Sequence, residues 1–319
     1  MSKAKKNSPD QRIPAEHSHL YGLQSPKVLA ARLGWELGKL EALAAHASYR
    51  VFSLKESGRV VEEPPAHLQS LHRQIHRYLG RIEVPEYLHS AVKGRSYLSN
   101  ARPHIGSGAV INLDIKKFFP SVPQHRVMHF FRDTMKCAGD TAGLLANLIC
   151  RNGKLATGSA ASPIISYYAF KGMFDELHAL ALSNGLIMTC YVDDITMSGS
   201  NASQWVLHEA RKIILRNGLG AHKARFQHGT GPKLVTGTMV SATGLELPFS
   251  RWKKIRAQIG ELNAAPSIEA KLAILPRLVS RLYEAAQLDM SCRRLAEFHH
   301  DQWRRLKANS LVNGTLVAA

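Results

Sequence analysis

Two adjacent carboxylates, Asp193 and Asp194, interrupt an apolar, strand-prone run, Ile187-Met-Thr-Cys-Tyr191-Val-Asp193-Asp194-Ile-Thr-Met-Ser198. Like charges side by side in such a run are costly to bury unless a cation or hydrogen bonds compensate. A turn between two short strands resolves the conflict by placing both carboxylates at one rim of a sheet. A second run has the same character: Val110-Ile-Asn-Leu-Asp114-Ile-Lys-Lys-Phe118-Phe119-Pro120 closes an apolar strand on a single acid. Three carboxylates on the ends of adjacent strands make the donor set that a pair of divalent ions uses in phosphoryl transfer. The alternative is a hairpin turn with solvated carboxylates.

The charge balance narrows the partner. Across 319 residues, 42 Lys and Arg face 24 Asp and Glu, a net charge of +18 and a pI near 10.0. Such an excess favours a polyanion, nucleic acid foremost, over a basic but inert surface. With 45% hydrophobic residues the chain is globular and long enough for several subdomains. Cys137, Cys150, Cys190 and Cys292 are widely spaced and form no CxxC pair. That pattern suits buried thiols in a reduced, cytoplasmic setting and speaks against a structural zinc. The basic N-terminus has no apolar core behind it, and no run reaches the ~18 apolar residues of a membrane span. No membrane partner is expected.

Along the chain, residues 1–24 read as a flexible lead. Ser25-Pro26 caps a helix to about Ala47, with Leu29, Leu33, Leu37, Leu40 and Leu43 at helical spacing. Tyr49–Leu54 and Arg59–Glu62 read as strands around a Lys55-Glu-Ser-Gly58 turn, and His67–Leu79 as a helix. His72 and His76 lie one helical turn apart without a third ligand, so a solvated or RNA-facing face is expected there. Gly94–Gly108 reads as a polar loop, Val127–Cys150 as mainly helical, and Gly153–Ser162 as a small-residue loop. A helix at Pro163–Ser183, the acidic hairpin, an amphipathic helix at Ala202–Asn217 and a Gly-rich hairpin region to Leu247 follow. From Ser250 the chain is helical and basic, interrupted near Pro266 and Pro276. No βαβ repeat is visible, which favours an α+β fold.

In this order the features resemble a reverse transcriptase, and more narrowly the bacterial retron type. Asp114 in Leu113-Asp-Ile-Lys-Lys-Phe-Phe-Pro-Ser121 matches the first catalytic motif of the palm, and Tyr191-Val-Asp193-Asp194 the YxDD signature. Ser99-Asn100-Ala101-Arg102-Pro103-His104 matches the retron NAxxH element, and Leu234-Val235-Thr236-Gly237 the VTG element. A lone Y-x-D-D is weak; the four elements in order are far more specific. The resemblance runs from about Tyr49 to about Leu262. It implies an α+β right-hand polymerase: lead and helix (1–48), fingers (49–109), an antiparallel palm sheet with helices (110–245) holding a fingers insertion at about 123–165, and a helical basic thumb (246–319).

The resemblance also implies roles. Asp114, Asp193 and Asp194 would be catalytic and would hold Mg²⁺, with Ile115 as a further metal-site residue. Arg59, Lys117, Phe118, Phe119, Thr157 and Gly158 would meet the incoming dNTP. Arg59 matches the position that grips the triphosphate, although a solvated hairpin arginine is an alternative. Phe119, five residues after Asp114, occupies the sugar-gate position. If Phe118 and Phe119 lie in a strand they face opposite ways, so one lines the pocket while the other packs; both could instead be core. Thr157 stands where the family has Gln, and Gly158 allows close backbone approach by nucleotide or template. His222 and Arg225 replace the Asn and Lys of an Asn-x-x-Lys segment, so a proton-donating lysine is not assigned.

Nucleic acid would be held by Asn100 and His104, by Val235, Thr236 and Gly237, and by the thumb cations Lys253, Lys254, Arg256, Arg304 and Arg305. Arg251, Arg277, Arg281, Arg293 and Arg294 join this basic set, part of which is an ordinary solvated face. The implied partner is a cognate noncoding RNA serving as template and as primer through a guanosine 2′-hydroxyl. The product would be RNA-linked single-stranded DNA, msDNA, made in antiphage defence with a separate effector protein. Two other functions are compatible: another bacterial reverse transcriptase of abortive-infection or intron type, or an RNA-binding scaffold restraining a toxin.

Overall fold

The computed structural model describes residues 12–54 and 58–312, so the 1–11 lead and most of the Lys55–Gly58 turn lie outside the described residues. The chain divides into two compact units, 1–229 and 230–319.

In the first unit, Ser25 caps α1 (Pro26–Leu33) by accepting a hydrogen bond from the Val28 N–H at 3.3 Å. The single helix expected to Ala47 is two. Gly34 at φ 75° ends α1 in a left-handed cap, and α2 (Leu37–His46) starts afresh. β1 (Arg50–Ser53) and β2 (Val60–Glu63) pair antiparallel. On α3 (Ala66–Leu79) the expected face, Leu68, Leu71, Ile75 and Leu79, is buried. His72 is buried with it, against the expectation of a solvated histidine: its ring nitrogens meet Leu148 O and Ser159 Oγ, each at 2.8 Å.

Inside the expected polar loop at 94–108, Ser96 and Ser99 form a reciprocal capping box that opens α4 (Tyr97–Ala101). β3 (Ala109–Ile115) follows. The stretch expected to be mainly helical over 127–150 is α5 (Gln124–His129), a wide π turn at Phe130–Thr134, and α6 (Gly139–Ile149). β4 (Cys150–Arg151) and β5 (Lys154–Leu155) form a two-residue-turn hairpin, with Asn152 and Gly153 at positive φ. α7 (Ser162–Ala169) and α8 (Lys171–Ser183) divide the next expected helix at Phe170.

β6 (Ile187–Tyr191), β7 (Asp194–Ser198), α9 (Gln204–Arg216) and β8 (Ala221–His228) complete the unit. The main sheet runs β6-β7-β3-β8, all antiparallel. Alternation gives it two characters. Ile111, Leu113, Ile115, Met188, Cys190, Ile195 and Met197 face the apolar core. The other face is polar, carrying Asn112 and Asp114 on β3, Asp194, Thr196 and Ser198 on β7, and Thr189 and Tyr191 on β6. Residues 87–89 cover the outer edge of β6, with Cys190 donating to Tyr87 O at 2.7 Å and His89 donating to Cys190 O at 2.8 Å.

The second unit has β9 (Lys233–Val235), β10 (Thr238–Val240) and β11 (Leu245–Glu246) in one small sheet. Helices α10 (Phe249–Ala264), α11 (Ile268–Ala285) and α12 (Ser291–Val312) follow. Among the described residues these strands pair only with one another, and they group with the helices. The unit boundary therefore falls at Gly229/Thr230. Pro266 lies in the break between α10 and α11, as expected, but Pro276 does not interrupt α11. Leu275, Leu278 and Leu282 bury one face through the proline, together with Ile255, Leu262 and Cys292. The architecture is α+β, as the sequence implied.

Candidate active site

The acidic hairpin turns on two residues, Val192 and Asp193, between the Tyr191↔Asp194 pair of β6 and β7. β3 then brings in the third acid: Asp114 is the direct cross-strand partner of Asp194. The Ile115 N–H donates to Asp193 O at 3.0 Å and fastens the turn to the end of β3. Ile115 itself is fully buried. All three acidic residues are thus delivered to one end of the polar face.

Burial and mutual repulsion set their titration. The Asp194 carboxyl is pushed up to about 6 by burial first, then by the charges of Asp193 and Asp114. Asp193 is raised by burial and by Asp114, while the positive charges of Arg59 and Lys223 pull it down. The exposed Arg59, beside β2, therefore acts electrostatically on the acidic turn.

Asp114 has a cation against it. Lys223 Nζ donates to Asp114 Oδ2 at 3.2 Å. His222 Nδ1 faces Asp114 Oδ1 at 3.0 Å, outside hydrogen-bond geometry. A bulge in β8 between the partners of Asn112 and Asp114 makes room for this, and Lys223 sits at φ 50°. The sequence sets both residues in the segment that matches Asn-x-x-Lys but gives neither a role toward Asp114, because a bulge on an edge strand leaves no periodic signal. Among the described residues no three acidic, His or Cys side chains converge at ligating distance. The donors nonetheless suit magnesium: they are carboxylates at a partly open rim, and Asp114 Oδ1 is buried without a hydrogen bond.

Several expected contacts take a different form. β3 stops at Ile115, and Lys117 turns the chain at φ 49°. Phe118 therefore lies in a turn and Phe119 opens a short 3₁₀ helix (Phe119–Ser121), and strand alternation does not divide their roles. Both are buried. Phe118 packs on Phe170 and Phe174, and Phe119 stacks on Phe118 at 6.2 Å while keeping 9% of its surface. Lys117 is exposed.

The Thr157 hydroxyl is engaged by the fingers hairpin, accepting from Glu62 N–H at 3.0 Å and donating to Val60 O at 3.1 Å. Gly158 N–H donates to Glu62 O at 3.1 Å, and a Cβ at Gly158 would meet that oxygen at 2.6 Å. The close approach that Gly158 permits is thus to the β2 backbone. Gln69 on α3 completes the clamp, bonding Gly158 O and Ala160 N.

Asn100 and His104 are 0% and 1% exposed, so the structure does not present them to a nucleic acid. His104 bonds Thr189 and Ser198 instead. In the second unit, Val235 is buried, while Thr236 and Gly237 form the β9–β10 turn at φ 46° and 72°. Only the turn residues of the VTG element have surface for a ligand. Lys253, Lys254, Arg256, Arg304 and Arg305 are exposed. Arg251 pairs with Glu284 and Arg281 bonds Gln258, so these two tie α10 to α11, whereas Arg293 pairs with Glu297 within α12.

No family model matches the sequence. Curated proteins do. Identity to the retron Se72 reverse transcriptase of Salmonella heidelberg (strain 579083-10) is 32% over 177 residues, covering 53% of this chain and 47% of that protein. The retron Ec86 reverse transcriptase of Escherichia coli is 27% identical over 252 residues, 75% of this chain and 78% of that one. The retron Mx65 reverse transcriptase of Myxococcus xanthus is 27% identical over 294 residues, 82% and 69% of the two chains. The chain thus spans about half the length of the Se72 protein. A solved structure of apo telomerase from Candida tropicalis superposes with a TM-score of 0.45 at 10% identity, covering 63% of this chain and 55% of that one. The retron-type resemblance carried by the motifs is borne out by the curated relatives.

Proposed function

We propose that this chain, related by sequence to the retron reverse transcriptases, is an RNA-directed DNA polymerase. The observation that carries the proposal is the register that sets Asp114 opposite Asp194 with Asp193 fastened beside them. Like charges in that arrangement are stabilised by a divalent cation, and Mg²⁺ held by Asp114, Asp193, Asp194 and the Ile115 backbone fits the donor chemistry. When bound, it would activate the attacking hydroxyl and take up charge on the leaving pyrophosphate.

The chain's own residues supply the remaining parts. Arg59, near the acidic turn, offers a guanidinium to the triphosphate. Phe119 stands after the β3 carboxylate as the gate against a ribose 2′-hydroxyl. Thr157 and Gly158 hold the fingers hairpin over this region. The exposed cations of α10 and α12 and the Thr236–Gly237 turn are the surfaces for RNA and its DNA copy, bound through phosphates. The net charge of +18 supports a polyanionic partner.

By kinship, the RNA is a cognate noncoding transcript that templates synthesis and primes it from a guanosine 2′-hydroxyl, giving msDNA. A separate effector and a role in antiphage defence follow from the same kinship. No described helix is long and apolar enough to cross a membrane. The four cysteines are free and buried, which suits the cytoplasm. The test is dNTP incorporation by purified protein with the RNA from its own locus. Wild type should yield RNA-linked DNA, whereas Asp193→Ala with Asp194→Ala should yield none yet retain RNA. Labelled DNA from the double variant would refute the site; RNA retention without synthesis by wild type would favour the scaffold function.

A further inference from the structure

The polar face of the main sheet has two ends. One carries the carboxylates and is open. The other is closed by α4 and the short turn Arg102–His104, and at the closure lies a buried chain of polar groups. His104 Nε2 is 2.8 Å from Thr189 Oγ1 on β6, and its Nδ1 is 2.6 Å from Ser198 Oγ on β7. Thr189 Oγ1 donates to Asn100 O at 3.2 Å, and Ser107 Oγ donates to Ser198 Oγ at 3.0 Å. His104, Thr189, Ser198 and Asn100 are each no more than 2% exposed.

These bonds fix the proton positions. Asn100 O can only accept, so the single Thr189 hydroxyl proton is committed to it. Thr189 Oγ1 must then accept from His104, which places a proton on Nε2. Burial favours the neutral ring. Nδ1 is therefore an acceptor, Ser198 donates into it, and Ser198 Oγ in turn accepts from Ser107. The result is one directional chain, Ser107 to Ser198 to His104 to Thr189 to the Asn100 carbonyl, crossing both strands of the acidic hairpin. Thr189 precedes Asp193 by four residues and Ser198 follows Asp194 by four. Cross-strand pairing sets Thr189 and Ser198 on the same side of the sheet as Asp194.

We propose that His104, as the Nε2–H tautomer, is a positioning residue that fixes the β6–β7 pair and thereby the placement of Asp193 and Asp194 against Asp114. The inference rests on the polymerase reading. It gives the NAxxH histidine an internal role in place of an RNA contact. A phenyl ring fills the same space but can neither donate nor accept, so the hairpin keeps its packing and loses its brace.

The test has two arms. In ¹⁵N-histidine-labelled full-length protein, the resonance missing from His104→Phe should show a protonated Nε2 and a bare Nδ1 at neutral pH. The opposite tautomer overturns the proposal whatever the protein catalyses. In single-turnover dNTP incorporation, His104→Phe should lower the rate about ten- to a hundred-fold per active molecule, with dNTP KM within about twofold, as expected for misplaced rather than missing ligands. Thr189→Val and Ser198→Ala, milder changes, should each lower the rate, and combining either with His104→Phe should add little. A lower Tm with an unchanged rate per active molecule, or fully additive losses, overturns it. If wild type makes no DNA, the polymerase reading fails separately while the tautomer still tests the brace.

Discussion

Asp114 on β3 and Asp194 on β7 are direct cross-strand partners, so one hydrogen-bonded ladder holds two mutually repelling carboxylates on a single face. Like charges placed opposite each other destabilise a sheet. The fold tolerates the arrangement with Lys223 against Asp114 and with Asp194 titrating near 6.

That titration has a sign. The folded value of Asp194, about 6, lies above its ordinary 3.8. Its stability contribution is therefore full below about pH 3.8 and is lost as pH rises through about 6. Asp194→Asn should raise the melting stability of metal-free protein at pH 7.5, by on the order of 2 kcal/mol, and abolish synthesis. At pH 4 the gain should vanish. Thermal melts in chelator at both pH values check this; a gain that persists at pH 4 would point to packing instead of charge.

Thr157 is expected to act through the fingers. Its hydroxyl bridges Val60 O and Glu62 N, both on the hairpin strand β2 that directly follows Arg59. Thr157→Val removes both hydrogen bonds with little change of shape. Exchange of the Glu62 amide should accelerate, and dNTP KM should rise about three- to tenfold with kcat nearly unchanged. Thr157→Ser should restore both readings. Unaltered exchange in the valine variant would remove the clamp from consideration.

Gly158→Ala is predicted to be more damaging to stability than its size suggests. The added Cβ would meet Glu62 O at 2.6 Å and Glu63 Cα at 3.0 Å, both backbone atoms that cannot rotate away. A cost of about 1–3 kcal/mol is expected from that overlap. Urea melts measure it, and a neutral result would show that the β2 strand can retreat.

What the sequence made legible were the parts with local chemistry. The acidic doublet in an apolar run, the Asp114 strand, the Ser25-Pro26 cap and the Leu68/Leu71/Ile75/Leu79 face each carry period or composition of their own. What escaped it depended on distant partners. His72 looks like a surface residue until Leu148 and Ser159 supply its hydrogen bonds. His104 is buried because β6 and β7 meet it with hydroxyls from 85 and 94 residues away. Lys223 reaches Asp114 through a bulge that no spacing rule announces. The split helices ended at single non-helical residues that periodicity passes over, Gly34 in the left-handed region and Phe170 at φ −124° and ψ 20°.

The turn of the acidic hairpin holds a last, testable strain. Val192 sits at φ 60°, where the Cβ of an L-residue crowds the following carbonyl at about 1–2 kcal/mol. Its side chain also packs against the core, so replacing valine alone would confound strain with lost packing. Comparing Val192→Ala with Val192→Gly separates them, since both lack the valine methyls and only glycine accepts the left-handed backbone freely. In an ordinary conformation glycine is the less stable of the two. Here the order should reverse, with the glycine variant more stable by about 1 kcal/mol in a urea melt. Activity should run the other way: glycine leaves Asp193 on a looser turn, so synthesis should fall further in Val192→Gly than in Val192→Ala. An alanine variant at least as stable as the glycine variant would mean that this turn does not hold residue 192 in the left-handed region.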